Sequence, residues 1–332
     1  MSPPRVLSPI GELIASDGLP IIRGKYRPGA DLSKMCWFGS GGKAELLFIP
    51  YDIEDLVSFL QNITVLANGK FPITILGIGS NLLIRDGGVD GVVIRLGRGF
   101  SSIAVDAGRG IVRAGASSLD VNVAKESMEY GMGGIEFFSG IPGTIGGALA
   151  MNAGAYGCDT ASVLKNATAV AYAGSIRVFK PNEMDYRYRG NGLSDEWIFV
   201  SAEFNVTPED KNVIQQKILD IQIKRESSQP IRSRTSGSTF RNPDGYKAWQ
   251  LIDEAGCRGM RIGGAHVSEM HCNFFINDQN ASSDDIEKLI SMVKLMVFER
   301  SGVVLEEEVK IIGVVGKFKD PYGIDSSFNN AS

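Results

Sequence analysis

Residues 133–157 read GGIEFFSGIPGTIGGALAMNAGAYG and hold eight glycines, one proline and a single charged side chain, Glu136. Glycine loses more backbone freedom on ordering than any other residue and contributes nothing to a core. Such density is expected where backbone must turn sharply or lie close against something. Loops that present main-chain N–H groups to an anion have this character, and Pro142-Gly143-Thr144-Ile145-Gly146-Gly147 has the composition of one. Tight turns between short buried strands would explain the glycines equally well on composition alone.

An earlier stretch looks like its partner. Gly77-Ile78-Gly79-Ser80-Asn81-Leu82-Leu83 directly follows a strand pattern at 73–76. A dinucleotide fingerprint needs GxGxxG opening a helix, whereas Leu82 occupies the third glycine position and the chain runs on to Arg85-Asp86-Gly87-Gly88 without helical periodicity. The nicotinamide-binding doubly wound fold is therefore disfavoured. A short phosphate-cradling loop remains, with Ser80 and Asn81 able to add side-chain hydrogen bonds.

At 332 residues the chain exceeds what one core usually covers, so two or three domains are expected. A net charge of -4 gives no support to a nucleic-acid partner. The first twenty residues lack a basic-then-apolar signal pattern, and no run reaches about 18 apolar residues. These features predict a cytoplasmic protein with no membrane partner. Cys36, Cys158, Cys257 and Cys272 form no CxxC pair, and His266 and His271 stand five apart. Four buried free thiols and no metal site are expected.

Ile53, Leu56, Val57 and Leu60 mark an amphipathic helix behind an Asp52 cap, between strands at 44–49 and 73–76. Short strands follow at 92–96, 103–105 and 111–114, then a helix bearing Leu119, Val123 and Ala124. Beyond the glycine-rich run come strands at 163–171, 176–179 and 197–204 and a helix over 213–223, closed by Pro230. The last segment has a short helix at 248–255, a longer one behind a capping box of Asp284 and Glu287, and a final strand within 305–313. Many short strands with few helices describe an α+β chain rather than repeated βαβ units.

Taken together, GIGSNLL at 77–83, SGIPGTIGGALAMNAGAYG at 139–157, YR at 188–189, GSTFRNP at 237–243, HCNFFIN at 271–277 and LEEEV at 305–309 closely resemble the UDP-N-acetylenolpyruvoylglucosamine reductase (MurB) family. Each motif alone is weak; six in this order and spacing are specific. The resemblance covers about 37–313 and implies an FAD-binding fold of the vanillyl-alcohol-oxidase/PCMH type with an additional C-terminal α+β substrate-binding domain. The expected divisions are a lead-in at 1–34, FAD-binding lobes at 35–72 and 73–208, a substrate-binding domain at 209–315 and a tail at 316–332.

The resemblance implies FAD held by Gly77, Gly79, Ser80, Asn81 and Leu82, by Pro142, Gly143, Thr144, Gly146 and Gly147, and by Asn152, Gly154, Ala155 and Tyr156. NADPH would reduce the flavin and leave. UDP-N-acetylglucosamine enolpyruvate would then take a hydride from flavin N5 at C3 and a proton at C2. By the same match Ser238 is the proton donor, and Arg189 and Glu308 stabilise the charge that develops at the substrate carboxylate. Arg189 suits that task as a planar, permanently charged fork. Glu308 would repel the carboxylate if ionised, so it must be protonated or bridged by hydrogen bonds. Strand alternation would put Glu306 and Glu308 on one face and Glu307 on the other.

Tyr186-Arg187 repeats the composition of Tyr188-Arg189 and is a decoy for it. Lys224, Arg225, Gln229, Asn242, His271 and Asn273 are further candidates for substrate contacts, although two basic residues at a helix end also suit its dipole. Arg232-Ser233-Arg234-Thr235-Ser236 departs from the family pattern. The short connection between 204 and 213 leaves no room for a tyrosine-bearing insertion, which marks the shorter, second type of the family, expected as a monomer. Another FAD oxidoreductase of the same fold would share the glycine loops but have no reason to keep the set Ser238, Arg189 and Glu308; a sugar-nucleotide binder or structural protein without turnover would bind ligand but give no flavin reduction by NADPH.

Overall fold

The computed structural model describes residues 8–316, apart from Asn68 and Lys70. Nearly all of the expected tail lies outside the described residues. The chain opens with α1 (Pro9–Ala15), β1 (Lys25–Pro28), β2 (Ala44–Ile49), α2 (Ile53–Leu66), β3 (Ile73–Ile75), β4 (Leu82–Ile84) and β5 (Val89–Ile94). β1, β2, β5 and β3 form one sheet in that order, antiparallel at β1–β2 and parallel elsewhere. Strands covered on both faces read as continuous apolar runs, and β2 is AELLFI. Its Leu46 and Phe48 pack with Leu56, Phe59 and Leu60 of α2, while Leu47 points to a second core shared with the C-terminal part. Asp52 caps α2 by accepting from the Asp55 amide at 2.9 Å.

A second sheet comes from β6 (Ile103–Asp106), β7 (Ile111–Gly115), β11 (Leu164–Ala171), β12 (Ile176–Phe179) and β13 (Trp197–Asn205). It is antiparallel throughout, in the order β12-β11-β13-β7-β6. Between β7 and β11 lie α3 (Asp120–Glu129), β8 (Met132–Gly133), α4 (Ile145–Met151), β9 (Gly154–Ala155), β10 (Cys158–Asp159) and α5 (Thr160–Val163). Phe137, Phe138, Ile145 and Leu149 bury one face of this sheet with Ala167, Ala169 and Phe204. Val170, Ile198 and Val200 on its other face join the α2 core, which locks the two sheets together.

After β14 (Thr207–Pro208) and α6 (Lys211–Ser228) come α7 (Ala248–Glu254), the antiparallel sheet β15 (Arg261–Ile262), β16 (Ala265–Val267), β17 (Phe275–Asn277), then α8 (Ser283–Ser301) and β18 (Lys310–Ile312). Phe240, Phe275, Leu289, Val293 and Val297 share a core with Leu47, Leu83, Ile84 and Val93. The C-terminal part therefore packs directly on the first sheet.

Five expectations are corrected. The glycine-rich run contains a helix, α4, with Gly146 and Gly147 in its first turn, and ends on Asn152 in a left-handed conformation (φ +43°). The capping box of α8 is Ser282 with Asp285, because Ser282 has the extended backbone that an N-cap needs; Glu287 instead reaches Arg85 at 3.0 Å. The final strand contracts to β18, and 306–308 is tied to 239–241 by a single antiparallel bridge at Glu307–Phe240; Glu306 is exposed, and Glu307 pairs with Lys294 at 2.7 Å while Glu308 lines the cavity. Cys158 is exposed, while Cys36, Cys257 and Cys272 are buried, and all four are free. The first sheet also draws β1 from the expected lead-in and β3 and β5 from beyond residue 72.

Candidate active site

β18 runs parallel to β4 and brings the end of the chain back to the first glycine loop. The Lys310 amide donates to Asn81 O and the Asn81 side-chain amide donates to Glu308 O, both at 3.1 Å. The loop itself is held by its carbonyls: Trp37 N donates to Gly79 O at 3.0 Å. Its amides are left over. Among the described residues, the N–H groups of Gly77, Ile78, Gly79 and Ser80 have no acceptor. Gly79 is in the left-handed region (φ +72°), and a β-carbon there would stand 2.0 Å from Met35 O. Only glycine fits, and the resulting row of free amides is an anion-binding nest.

The second loop faces the first. Ile145 N and Gly146 N donate to Ser118 O and Ala116 O at 3.0 and 2.8 Å, which sets α4 against the end of β7. Thr144 Oγ1 would be 3.3 Å from a β-carbon on Gly77. Two adjoining cavities, of about 350 and 730 Å³, share Gly77, Ile78, Thr144 and Gly147 as a common wall. Ser80, Asn81, Leu82, Pro142, Gly143, Gly154 and Ala155 line the smaller one, and Gly146 lines the larger. Together they suit an elongated ligand with an anionic middle. The free amides and the confined wall fit the diphosphate of a dinucleotide cofactor.

Ser238, Arg189 and Glu308 line the smaller cavity together. Ser238 sits on a bridge to Phe274, directly before Thr239, whose carbonyl accepts from Glu308 N at 2.8 Å. The hydrogen bond from Glu308 N to the residue after Ser238 holds the serine and the glutamate side by side, and the bridge to Phe274 holds the serine from its other neighbour. Arg189 Nε lies 2.8 Å from Glu308 Oε1 without the alignment of a hydrogen bond. Both side chains are mostly shielded, 23 and 14 % exposed. Burial pushes the Glu308 carboxyl above its ordinary range, and the guanidinium groups of Arg189 and Arg241 oppose that rise.

Arg189 has a left-handed backbone (φ +59°), uncommon for a residue with a β-carbon, and its Nη1 donates to Gly154 O at 3.0 Å. That strained turn aims it inward. Arg187, the decoy, is exposed and pairs with Asp185.

Other expected residues have different employment. Asn152 is buried away from the cavity walls, donating to Arg187 O at 3.2 Å and accepting from Ala161 N at 3.0 Å, so it braces the segment that carries Arg189. Tyr156 donates to Ile221 O at 3.4 Å outside the walls. Arg225 and Gln229 line the smaller cavity, and burial lowers the Arg225 pKa, with Tyr156 opposing; Lys224 is exposed. Asn242 accepts from Ala248 N at 3.0 Å, as a cap beside α7. Asn273 spends both ends of its amide on the Phe240 backbone, at 2.9 and 2.8 Å. His271 packs edge-on against Phe274, and its Nδ1 accepts from Asn273 N at 3.2 Å. None of these last three reaches the walls.

Sequence reasoning missed Asp120, Arg241 and Lys310, which line the cavities. Arg241 was in view inside GSTFRNP; its charge acts on Glu308 and its Nε is buried without a partner. Lys310 follows LEEEV by one residue, and its place shows only once β18 is paired. The larger cavity, between the two sheets and walled by Arg95, Arg98, Tyr172 and Asp195, had no motif to announce it.

Comparison with known proteins agrees with this architecture. A model of an FAD binding domain matches residues 44–180, and a model of the UDP-N-acetylenolpyruvoylglucosamine reductase C-terminal domain matches 229–312. The reductase of that name from Parvibaculum lavamentivorans is 51 % identical over 90 % of this chain and 94 % of its own length. The one from Rickettsia bellii is 48 % identical over 90 % of this chain and 94 % of its own. The crystal structure of the reductase from Thermus caldophilus superposes with a TM-score of 0.74 at 30 % identity, covering 88 % of this chain and 99 % of that one. By sequence and by fold, the chain belongs to the UDP-N-acetylenolpyruvoylglucosamine reductase (MurB) family.

Proposed function

We propose that the two cavities hold FAD across the glycine loops, that NADPH is its reductant, and that Ser238, Arg189 and Glu308 work on UDP-N-acetylglucosamine enolpyruvate at one end of the smaller cavity. Family membership makes the overall reaction the reduction of that enol ether to UDP-N-acetylmuramate, in peptidoglycan precursor synthesis. The observation that carries the residue assignment is the meeting of Ser238, Arg189 and Glu308 in one cavity whose wall is the row of free amides at 77–80.

When bound, FAD supplies the hydride relay between nicotinamide and substrate. The chain's own residues handle binding and protons. Arg189 turns its charge toward the substrate carboxylate, where negative charge grows as C3 gains a hydride. Glu308, with its carboxyl shifted toward the neutral form, can sit beside that carboxylate and donate to it. Ser238 delivers the proton to C2; its hydroxyl has no protein partner among the described residues. Arg225 and Gln229, at the far end of α6, are placed for the polar part of the sugar nucleotide. β13 leads to α6 through β14 with no extra subdomain, which supports the shorter type. No helix among the described residues is long and apolar enough to cross a membrane, and we place the reaction in the cytoplasm, carried out by a monomer.

The test separates the two half-reactions. Ser238→Ala should leave flavin bleaching by NADPH intact and slow reoxidation by the sugar nucleotide by roughly 10²–10⁴, the usual worth of a positioned acid. Equal slowing of both halves would remove Ser238 from the proton-donor role.

A further inference from the structure

Asp120 begins α3 and is fully buried in the wall of the smaller cavity, beside residues 140–144. Neither of its carboxyl oxygens has a hydrogen-bond partner among the described residues. An acid in the first turn of a helix ordinarily turns onto free amides there. Here the Asn122 and Val123 amides are taken by Leu119 O, at 2.9 and 3.1 Å. The carboxyl turns to the second glycine loop instead: a β-carbon on Gly143 would lie 2.5 Å from Asp120 Oδ2. The backbone fixes that arrangement, since Asp120 N donates to Gly143 O at 3.2 Å.

An acid buried with nothing to bond is costly, and it minimises the cost by staying neutral. Burial is the sole influence pushing the Asp120 carboxyl well above the usual carboxylate range. On the elements packed against α3, Glu136 and Glu209 pair with Lys217 of α6, Arg113 of β7 with Glu203, Asp106 of β6 with Arg109, and Lys211 of α6 with Glu129 at the far end of α3. In the cavity itself the charged groups are Arg189, Arg225, Glu308 and Lys310. A neutral carboxyl carries one proton to donate. The free amides of 77–80 across the same cavity call for an anionic occupant, which would be repelled by an ionised acid and bound by a protonated one.

Resting on the flavin reading above, we infer that Asp120 recognises phosphate: its carboxyl donates a hydrogen bond to the diphosphate of FAD where that group lies between residues 77–80 and 142–144. Gly143 has no side chain so that the acid can reach across the loop.

The full-length chain, stripped of flavin, is titrated with FAD, with ADP and with riboflavin, and the reconstituted chain with UDP. Asp120→Ala should weaken FAD and ADP by roughly tenfold to a hundredfold and leave riboflavin unchanged, because riboflavin carries no phosphate. Asp120→Asn, which keeps a donor of the same shape, should bind FAD and ADP like the original chain. That variant also guards against misfolding in the alanine protein. Four results would overturn the assignment: equal loss for riboflavin, an asparagine variant as weak as the alanine one, a loss confined to UDP, or no change for any ligand. An unaltered chain that takes up no FAD would instead sink the flavin reading on which this one stands.

Discussion

Arg189 and Arg187 stand two residues apart and have opposite fates in space. Each follows a tyrosine, but the left-handed backbone at Arg189 turns its side chain into the cavity while Arg187 stays on the surface with Asp185. Arg187→Ala should therefore leave both half-reactions unchanged. Arg189→Lys keeps the charge, loses the planar fork, and should slow substrate-dependent reoxidation by at least about tenfold. Stopped-flow absorbance separates the two cases, and a silent Arg189→Lys would move the role elsewhere. Glu308 gives a pH test. Its carboxyl is raised by burial, so as pH climbs through that raised pKa it ionises and sets a second negative charge beside the substrate carboxylate. Reoxidation should slow over that window, and Glu308→Gln should abolish the slope; a slope that survives belongs to another group. Ser238, Arg189 and Glu308 were legible only through the family motifs. Asp120 was not legible at all, because nothing in LDVNVA separates a cavity acid from an ordinary helix-opening aspartate.

Elements with strong periodicity were read well. α2 and α8 follow from apolar residues at helical spacing: α8 buries Ile286, Leu289, Ile290, Val293 and Val297, while α2 buries Leu56 and Leu60 of its expected face together with Phe59 and Ile63, leaving Ile53 and Val57 half-buried. α4 was hidden, since glycine and alanine make no contrast between faces and a seven-residue helix has room for little pattern. β18 was read too long because the stretch before it, with Leu305 and Val309 buried, pairs with 239–241 through one isolated bridge and not as part of the strand. The cap of α8 was misplaced by two residues, and the true one gives a prediction. Ser282 Oγ accepts from Asp285 N at 3.0 Å and Ser282 lines neither cavity, so Ser282→Ala should cost about 1 kcal/mol of stability without changing turnover. Chemical denaturation and steady-state assays check the two halves; unchanged stability would mean the cap is satisfied by other groups.

Across the whole molecule, the site exists because the chain's last strand returns to its first glycine loop. β18 on β4 and Asn81 on Glu308 join residues more than two hundred positions apart, and a shared core of Phe240, Val293, Leu47 and Val93 holds that closure. Sequence order conveyed the α+β class, but not that one sheet gathers strands from the lead-in, the first lobe and the start of the second. It could not convey that the third part packs on the first, since parallel pairing between distant three-residue strands leaves no local trace. On the function proposed above, a single site formed by the two adjoining cavities serves both halves of a flavin relay. Anaerobic visible absorption of the purified chain, with NADPH added first and UDP-N-acetylglucosamine enolpyruvate second, tests it most directly. Flavin bands that bleach with the nicotinamide and return with the sugar nucleotide are the predicted result. Bands that bleach and never return on addition of the sugar nucleotide would contradict it.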